Sequence, residues 1–425
     1  AGRDNRPMHP NALLELATEL LHRVLQLEHP ADSVVSEFFR QHRALGQRER
    51  HTLAETTYAV LRQRPLLQHL AQSGSGEMER RLAILGWQGN EGFLRAALGA
   101  GEQQWLERVQ AIDRAALPER LRHNLPEWLA ERLRAALGDE FWPLVESLNA
   151  PAPLDLRVNT LNAKRDAVRA ALQAAGIAAE PTPYSPWGLR LAGKPAINKQ
   201  DVFLRGEVEV QDEGSQLLAL VVDPKRGEMV VDFCAGAGGK TLALGAAMRN
   251  TGRLYAFDTS GHRLAALKPR LARSGLSNVH PAQISGERDE RIKRLAGKID
   301  RVLVDAPCTG LGTLRRNPDL KWRHSQQAVE ELQARQSAIL AGAARLVKAG
   351  GRLVYATCSL LREENEDVAE AFGAAQREFE PLDVALLLDR ARVAGAAGLG
   401  SSGHLRLWPH RHGTDGFFAA AWQRR

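Results

Sequence analysis

Residues 301–312 read RVLVDAPCTGLG. The stretch opens on a short apolar run, Val302, Leu303 and Val304, closed by Asp305 and then by Pro307. So short a run, bounded this way, predicts a buried strand of a parallel sheet. Proline has no amide hydrogen for a ladder, so the strand must end near Ala306. Asp305 and Cys308 then sit at the carboxyl end of a strand, where open α/β sheets hold their ligands. Residues 351–359, GRLVYATCS, repeat the design: Leu353, Val354 and Tyr355 lead to Thr357, Cys358 and Ser359. Of the chain's three cysteines, two follow predicted strands, 50 positions apart.

The chain's 425 residues suffice for two or three domains with ample core. Apolar residues make up 44% and charged residues 25%, the proportions of an ordinary globular protein. No apolar run approaches the ~20 residues of a membrane span, so no membrane partner is expected. The opening residues, AGRDNRPMHP, carry no apolar segment of the signal-peptide kind. Three cysteines without short-range pairing fit a reducing compartment, and a cytoplasmic location is expected. Cysteines are too few for an all-cysteine zinc site, HExxH is absent and the histidines are scattered, so no metal is assigned. A net charge of +7 points towards a polyanionic partner.

Upstream, residues 11–26 place Leu13, Leu14, Ala17, Leu20, Leu21, Val24 and Leu25 at helical spacing, with Asn11 as the N-cap. Residues 34–40 and 48–63 continue in that style, residues 73–76 (SGSG) read as a loop, and Pro126 opens a helix running to Leu137. No β-rich run precedes residue 150, so residues 1–145 are expected to form an all-helical domain. Residues 154–161 (LDLRVNTL) then alternate like a strand, residues 163–175 read as a helix, and residues 202–210 and 211–215 as strand and turn. Residues 146–225 are accordingly read as a small α+β connector. From residue 227 strands alternate with helices: 229–231 with 239–248, 253–257 with 262–274, 302–304 with 326–347, and 352–355 with 363–375. That alternation predicts an α/β fold over residues 226–425, with a doubly wound, Rossmann-like parallel sheet.

The first strand of this sheet runs into residues 232–241, DFCAGAGGKT. Glycines between a strand and a helix let backbone amides approach a ligand at the helix N-terminus. A P-loop requires glycine where Cys234 stands, and a dinucleotide fingerprint requires it where Thr241 stands. An adenosyl-cofactor loop tolerates both. Asp258, ending the strand RLYAFD 20 positions after Gly238, is placed to accept both ribose hydroxyls. The bland alternative is a glycine-rich turn beside a surface aspartate. A cysteine at a strand end near helix N-termini can serve as a nucleophile, whereas a lone cysteine is more often an inert apolar residue, which suits Cys234. Two thiols beside an adenosyl cofactor fit methylation of a pyrimidine at carbon 5. Carbon 5 is a poor nucleophile until a thiolate adds to carbon 6, and a second group then helps the elimination. Asp305 can meet the N3 and N4 edge of a cytosine.

Residues 232–241, 255–258 (YAFD), 302–322 (VLVDAPCTGLGTLRRNPDLKW), 354–359 (VYATCS), 363–365 (EEN) and 414–418 (TDGFF) together resemble the RNA 5-methylcytosine methyltransferases of the Sun (Fmu) family. The resemblance covers about residues 150–425. It implies that Cys358, the TC cysteine, attacks carbon 6 and that Cys308, the PC cysteine, assists release. It implies S-adenosylmethionine as cofactor, held by Cys234, Ala235, Gly236, Ala237, Gly238, Gly239, Lys240, Asp258 and Asp305. It implies an RNA substrate, with ribosomal RNA expected and transfer RNA the alternative, and RNA contacts from Arg157, Asn159, Arg315 and Arg316. A monomer is expected. The branch of the family that acts on small-subunit ribosomal RNA carries an all-helical NusB-like N-terminal domain, which residues 8 to about 138 resemble in position and helical character.

The chain departs from the family pattern in two places. Gly236 and Ala237 replace the Ala-Pro pair usual in the glycine loop, which leaves the backbone cradle intact. The third cofactor strand usually ends in Gly-Asp facing the adenine, but residues 279–286 read VHPAQISG, so Gln283 or Ser285 must stand in. A non-catalytic RNA-binding protein with a retained cofactor pocket has no need of two thiols. An amino-methyltransferase would want an NPPY-like strand end where DAPC stands.

Overall fold

The structure, a computed structural model, describes residues 8–425; the reading of residues 1–7 as free of a signal segment lies outside the described residues. The described chain divides into two compact units. One is helical and takes the chain up to Ala150 together with Leu314–Ser325; the other takes Pro151–Thr313 and Gln326–Arg425.

In the second unit, β1 (Leu154–Val158), β2 (Ala179–Pro181), β3 (Gly188–Leu191) and β4 (Val208–Val210) form an antiparallel sheet in the order β2-β3-β1-β4. Helix Arg165–Ala174 adds Val168 and Leu172 to their core. The expectation of one strand over residues 202–210 and a turn over 211–215 is corrected here. Asp201–Leu204 is a helical turn, Gly206 reverses the chain at φ +72°, and only Val208–Val210 pairs. Helix Glu213–Val222 follows at once, capped by Asp212 onto the Gly214 amide. It is buried on every side, so no apolar stripe marks it in the sequence.

Arg157 and Asn159, expected to touch RNA, are only 2% and 3% exposed. Arg157 donates from Nε to Gln211 at 2.8 Å, and Asn159 donates from Nδ2 to the carbonyls of Gly206 and Ser274, each at 3.0 Å. A Cβ on Gly206 would lie 1.8 Å from the Arg273 carbonyl oxygen, so backbone meets backbone at this seam. Both side chains fasten the connector and are buried away from any polyanion.

The main sheet begins with β5 (Met229–Asp232), β6 (Arg253–Asp258), β7 (Val279–Gln283), β8 (Ile299–Asp305) and β9 (Val347–Thr357). These are parallel neighbours in the order β7-β6-β5-β8-β9, as the alternation of strand and helix predicts. The winding reverses between β5 and β8, which opens a crevice at their carboxyl ends. An antiparallel edge, unforeseen from the sequence, completes the sheet with β10 (Phe379–Leu382), β11 (Gly400–Ser401), β12 (His404–Leu407) and β13 (Phe417–Arg424). β13 pairs with β9, β10 and β12. Its residues Phe417–Trp422 are all buried, which hides the alternation of a typical antiparallel strand.

Among the described residues the helical unit holds helices and no strand. Its first helix, Pro10–Val24, buries Leu13, Leu14, Ala17, Leu20, Leu21 and Val24, the positions that the periodicity selects. Its cap is His9, whose ring accepts from the Asn11 amide, because Pro10 suits the first helical position better than Asn11. The segment Leu314–Ser325, which follows the cysteine loop after β8, belongs to this unit. There the Arg62 guanidinium donates to the Arg315 carbonyl at 2.8 Å, Trp322 Nε1 to the Leu61 carbonyl at 2.7 Å, and Lys321 Nζ to the Arg62 carbonyl at 2.8 Å. Arg315, expected on the RNA surface, is 6% exposed, and Arg316 is half-buried. Arg315 and Lys321 of this segment are absorbed into packing.

Lys321 is 2% exposed, and burial, helped by the neighbouring Arg62, pushes its ammonium down from 10.5 to about 7. The depressed value means that the folded state resists the proton the unfolded chain accepts. The cost is therefore complete below pH 7 and fades as pH rises towards 10.5. Lys321→Met should stabilise the fold at pH 6, by on the order of a few kcal/mol at most, and so raise the melting temperature. That advantage should shrink by pH 9. Thermal melts of both proteins at the two pH values check this; a pH-independent difference would contradict it.

Candidate active site

The cleft forms where β5, β6, β8 and β9 end. In register, Asp232 of β5 stands beside Leu303 of β8, and Asp305 of β8 beside Ala356 of β9. After β5 the chain turns through the glycine loop into helix Gly239–Ala247. Gly236 and Gly238 adopt φ +55° and +90°, and a Cβ on Gly238 would lie 2.1 Å from Leu267. Glycine is required there both by conformation and by space. Gly238 is the N-cap, so the first amides of the helix have no helical carbonyl partner and are available to an anion or hydroxyl.

A cleft of about 820 Å³ lies over this loop. Cys234, Ala235, Ala237, Gly238, Gly239 and Lys240 line it, together with Asp258, Asp305, Cys308 and Cys358. Gly236 serves from behind: its amide donates to Asp258 Oδ2 at 2.8 Å, while the Ser260 amide donates to Oδ1 at 2.8 Å. The two bonds orient the carboxylate and leave it acceptor capacity on a group that faces the cleft. Behind the loop, burial pushes the Asp232 carboxyl up to about 7, against the pull of the Thr241 hydroxyl that donates to it at 2.7 Å.

Gln283, expected beside the adenine, does not line the cleft; its Nε2 donates to the Thr259 carbonyl at 3.0 Å. The wall there is made by Ile284, Ser285, Gly286 and Glu287. Ser285 donates both its amide and its hydroxyl to Asp289.

At the other end of the cleft the Sγ atoms of Cys308 and Cys358 lie 3.5 Å apart. Contact with Cys358, then burial, holds the Cys308 thiol well above the usual cysteine range. Burial does the same to Cys234, which fits its reading as an inert residue. Lys240 Nζ meets Asp305 Oδ2 at 2.7 Å. Burial pushes the Lys240 ammonium down, but Asp305 outweighs it, and the net shift is upwards. The cysteine loop returns under β13 at Gly312, whose amide donates to the Cys358 carbonyl and whose carbonyl accepts from Gly416, each at 2.8 Å. A Cβ on Gly312 would lie 2.1 Å from the Gly416 oxygen.

Three charged residues of the cleft escaped the sequence reading: Arg263, Glu287 and Arg335. Nothing in their local sequence distinguishes them: Arg263 and Arg335 reach the cleft from helices and Glu287 from the turn after β7. Among the described residues, His22, Glu77 and Glu79 bring three possible metal ligands within 4.8 Å on the helical unit. Among the described residues no helix is long and apolar enough to cross a membrane.

The residues present fit an adenosyl cofactor. Glycine-loop amides offer donors, Asp258 an oriented carboxylate for a ribose diol, and the volume admits a nucleoside with a charged tail. Comparison with known proteins places the chain among methyltransferases. The model of the family described as 16S rRNA methyltransferase RsmB/F matches residues 219–423, and an RsmF/B-like ferredoxin-like domain matches residues 125–198. A Bacillus subtilis protein named probable ribosomal RNA small subunit methyltransferase B is 33% identical over 347 residues, 80% of this chain and 76% of that one. A Synechocystis protein of the same name is 35% identical over 334 residues, 77% and 72% of the two chains. The crystal structure of a methyltransferase homologue from Pyrococcus horikoshii superposes with a TM-score of 0.62 at 30% identity, over 74% of this chain and all of that one. By these matches the chain belongs to the RsmB/F family of 16S rRNA methyltransferases.

Proposed function

We propose that this protein methylates carbon 5 of a cytosine in small-subunit ribosomal RNA through a covalent adduct with Cys358. The observation that carries the reading is the pair of thiols, 3.5 Å apart, opening into the same cleft as the glycine loop and Asp258. When bound, S-adenosylmethionine supplies a methyl group on a sulfonium. Its carboxylate fits the amides at the start of helix Gly239–Ala247, and its ribose fits Asp258. The names of the relatives, which specify small-subunit ribosomal RNA, support the substrate.

The chain's own groups divide the work as follows. The Cys358 sulfur adds to carbon 6 of the cytosine, and the ring's electron pair moves to carbon 5, which takes the methyl group. Asp305, oriented by Lys240, accepts from the N4 amino group of the ring. Cys308, whose proton is held tightly, remains a thiol while Cys358 attacks. Once the methyl is on, the carbon 5 proton passes to the Cys308 sulfur, which has by then given its own proton to solvent; the 5,6 double bond re-forms and the carbon 6–sulfur bond breaks to return the Cys358 thiolate. The helical unit serves as the NusB-like domain of the enzyme, which works as a monomer in the cytoplasm. Bisulfite mapping of small-subunit RNA before and after incubation tests the reading. One new protected cytosine is expected; protection confined to transfer RNA would overturn the substrate.

Asp258→Ala removes the acceptor for the ribose and frees the Gly236 amide. At roughly 1.5–3 kcal/mol per charge-assisted bond, the affinity for S-adenosylmethionine should fall at least tenfold. Calorimetric titration decides it, and an unchanged Kd would refute the placement of the ribose.

The two cysteine variants should fail differently. Cys358→Ala should bind RNA and transfer no methyl. Cys308→Ala should transfer the methyl and then hold the product, so a methylated RNA–protein adduct should accumulate on denaturing gels. An adduct in Cys358→Ala alone would reverse the two roles.

A further inference from the structure

Each cysteine of the pair is followed directly by a hydroxyl residue, Thr309 after Cys308 and Ser359 after Cys358. Both hydroxyls converge on one carboxylate, that of Glu364, which has no exposed surface at all. The Thr309 amide donates to Glu364 Oε1 at 2.8 Å and the Thr309 hydroxyl to Oε2 at 2.8 Å. The Ser359 hydroxyl also donates to Oε2. Gln336 Nε2 reaches Oε1 at 3.2 Å and the carbonyl of Pro307, the residue before Cys308, at 2.9 Å. Glu364 is anchored in turn by its own carbonyl, which accepts from the Tyr355 hydroxyl at 2.5 Å. The carboxylate therefore bonds the residue after each thiol, and Gln336 ties it to the residue before one of them.

A buried carboxylate is costly unless its oxygens are filled with donors. Burying one where an apolar residue would pack at less cost calls for something the apolar residue cannot do. A carboxylate accepts from several donors at once and fixes their relative positions, whereas an apolar contact leaves two loops free to slide.

We propose that Glu364 is a positioning residue that clamps the Cys308 loop to the Cys358 loop and so holds both thiols within reach of one pyrimidine ring. The clamp acts through Thr309 and Ser359 and touches neither cofactor nor base. It rests on the reading of the pair as attacking and release groups. Loosening it should disable the step that needs both thiols, release, before the step that needs one.

The test uses the full-length protein. Dibromobimane, which joins two neighbouring thiols, is expected to link Cys308 to Cys358 in the wild type, as read by peptide mass. Glu364→Gln puts an amide donor where an acceptor stood. It should slow that link at least tenfold, leave the affinity for S-adenosylmethionine within twofold, and accumulate the methylated RNA adduct. Thr309→Val should act in the same direction, and Thr309→Ser should restore the link, which a loss of general stability would not predict. A link formed at the wild-type rate with no extra adduct in Glu364→Gln would overturn the proposal. Should Glu364→Gln fail to fold, Thr309→Val and Ser359→Ala carry the same readouts, and wild-type linking in both would overturn it equally. If Cys308→Ala gives no adduct, the assignment of the two thiols falls, while the rate of linking still decides the clamp.

Discussion

The two sulfur atoms meet because β8 and β9 are parallel neighbours in register. Val304 stands beside Tyr355 and Asp305 beside Ala356, so the strands finish level and their loops leave the sheet side by side. Adjacent strands lie ~4.8 Å apart, close to the width of a pyrimidine. The distance of 3.5 Å between the sulfurs follows from that spacing plus the way the loops are held. Much of the surrounding structure serves the same constraint. Gly312 lets the first cysteine loop pass against Gly416 with no room for a side chain. β13 runs antiparallel to β9 and brings Gly416 to that crossing. The whole arrangement lies at the switch point of the sheet, where β5 supplies the glycine loop from the neighbouring position.

The cleft also separates groups of similar chemistry by environment. Contact with Cys358 and burial both push the Cys308 thiol above the usual cysteine range. Among the carboxylates, Asp232 is buried behind the loop and pushed up to about 7, whereas Asp258 takes two backbone amides and Asp305 an ammonium. Asp258 and Asp305 thus face the cleft, while Asp232 lies buried behind the loop that lines it. The spread of environments, more than the identity of any one residue, suits a site that must handle a nucleoside and a second ring.

Much of this was legible in the sequence. The strand ends at Asp305 and Thr357, the helix after the glycine loop and the position of Asp258 all follow from short apolar runs closed by proline, glycine or acid. What was not legible has physical causes. Helix Glu213–Val222 and β13 are buried on both sides, so their patterns carry no period. Arg157, Asn159 and Arg315 look like surface residues because their types usually are, yet each is buried against polar partners or packing from distant parts of the chain. Gln283 stands near the family's adenine-facing position, but its side chain turns to a carbonyl instead. Glu364 stood within a recognised motif, but its meaning depends on two hydroxyls that only the fold brings together.

The central claim is that Cys358, and not Cys308, bonds to the target base. Small-subunit RNA containing 5-fluorocytosine tests it directly in the wild-type protein, because the fluorine on carbon 5 cannot leave as a proton does and the adduct persists. After nuclease and protease digestion, mass spectrometry should find a methylated fluorocytosine on the peptide that contains Cys358. The same modification on the Cys308 peptide, or no adduct while unsubstituted RNA is methylated normally, would contradict the account.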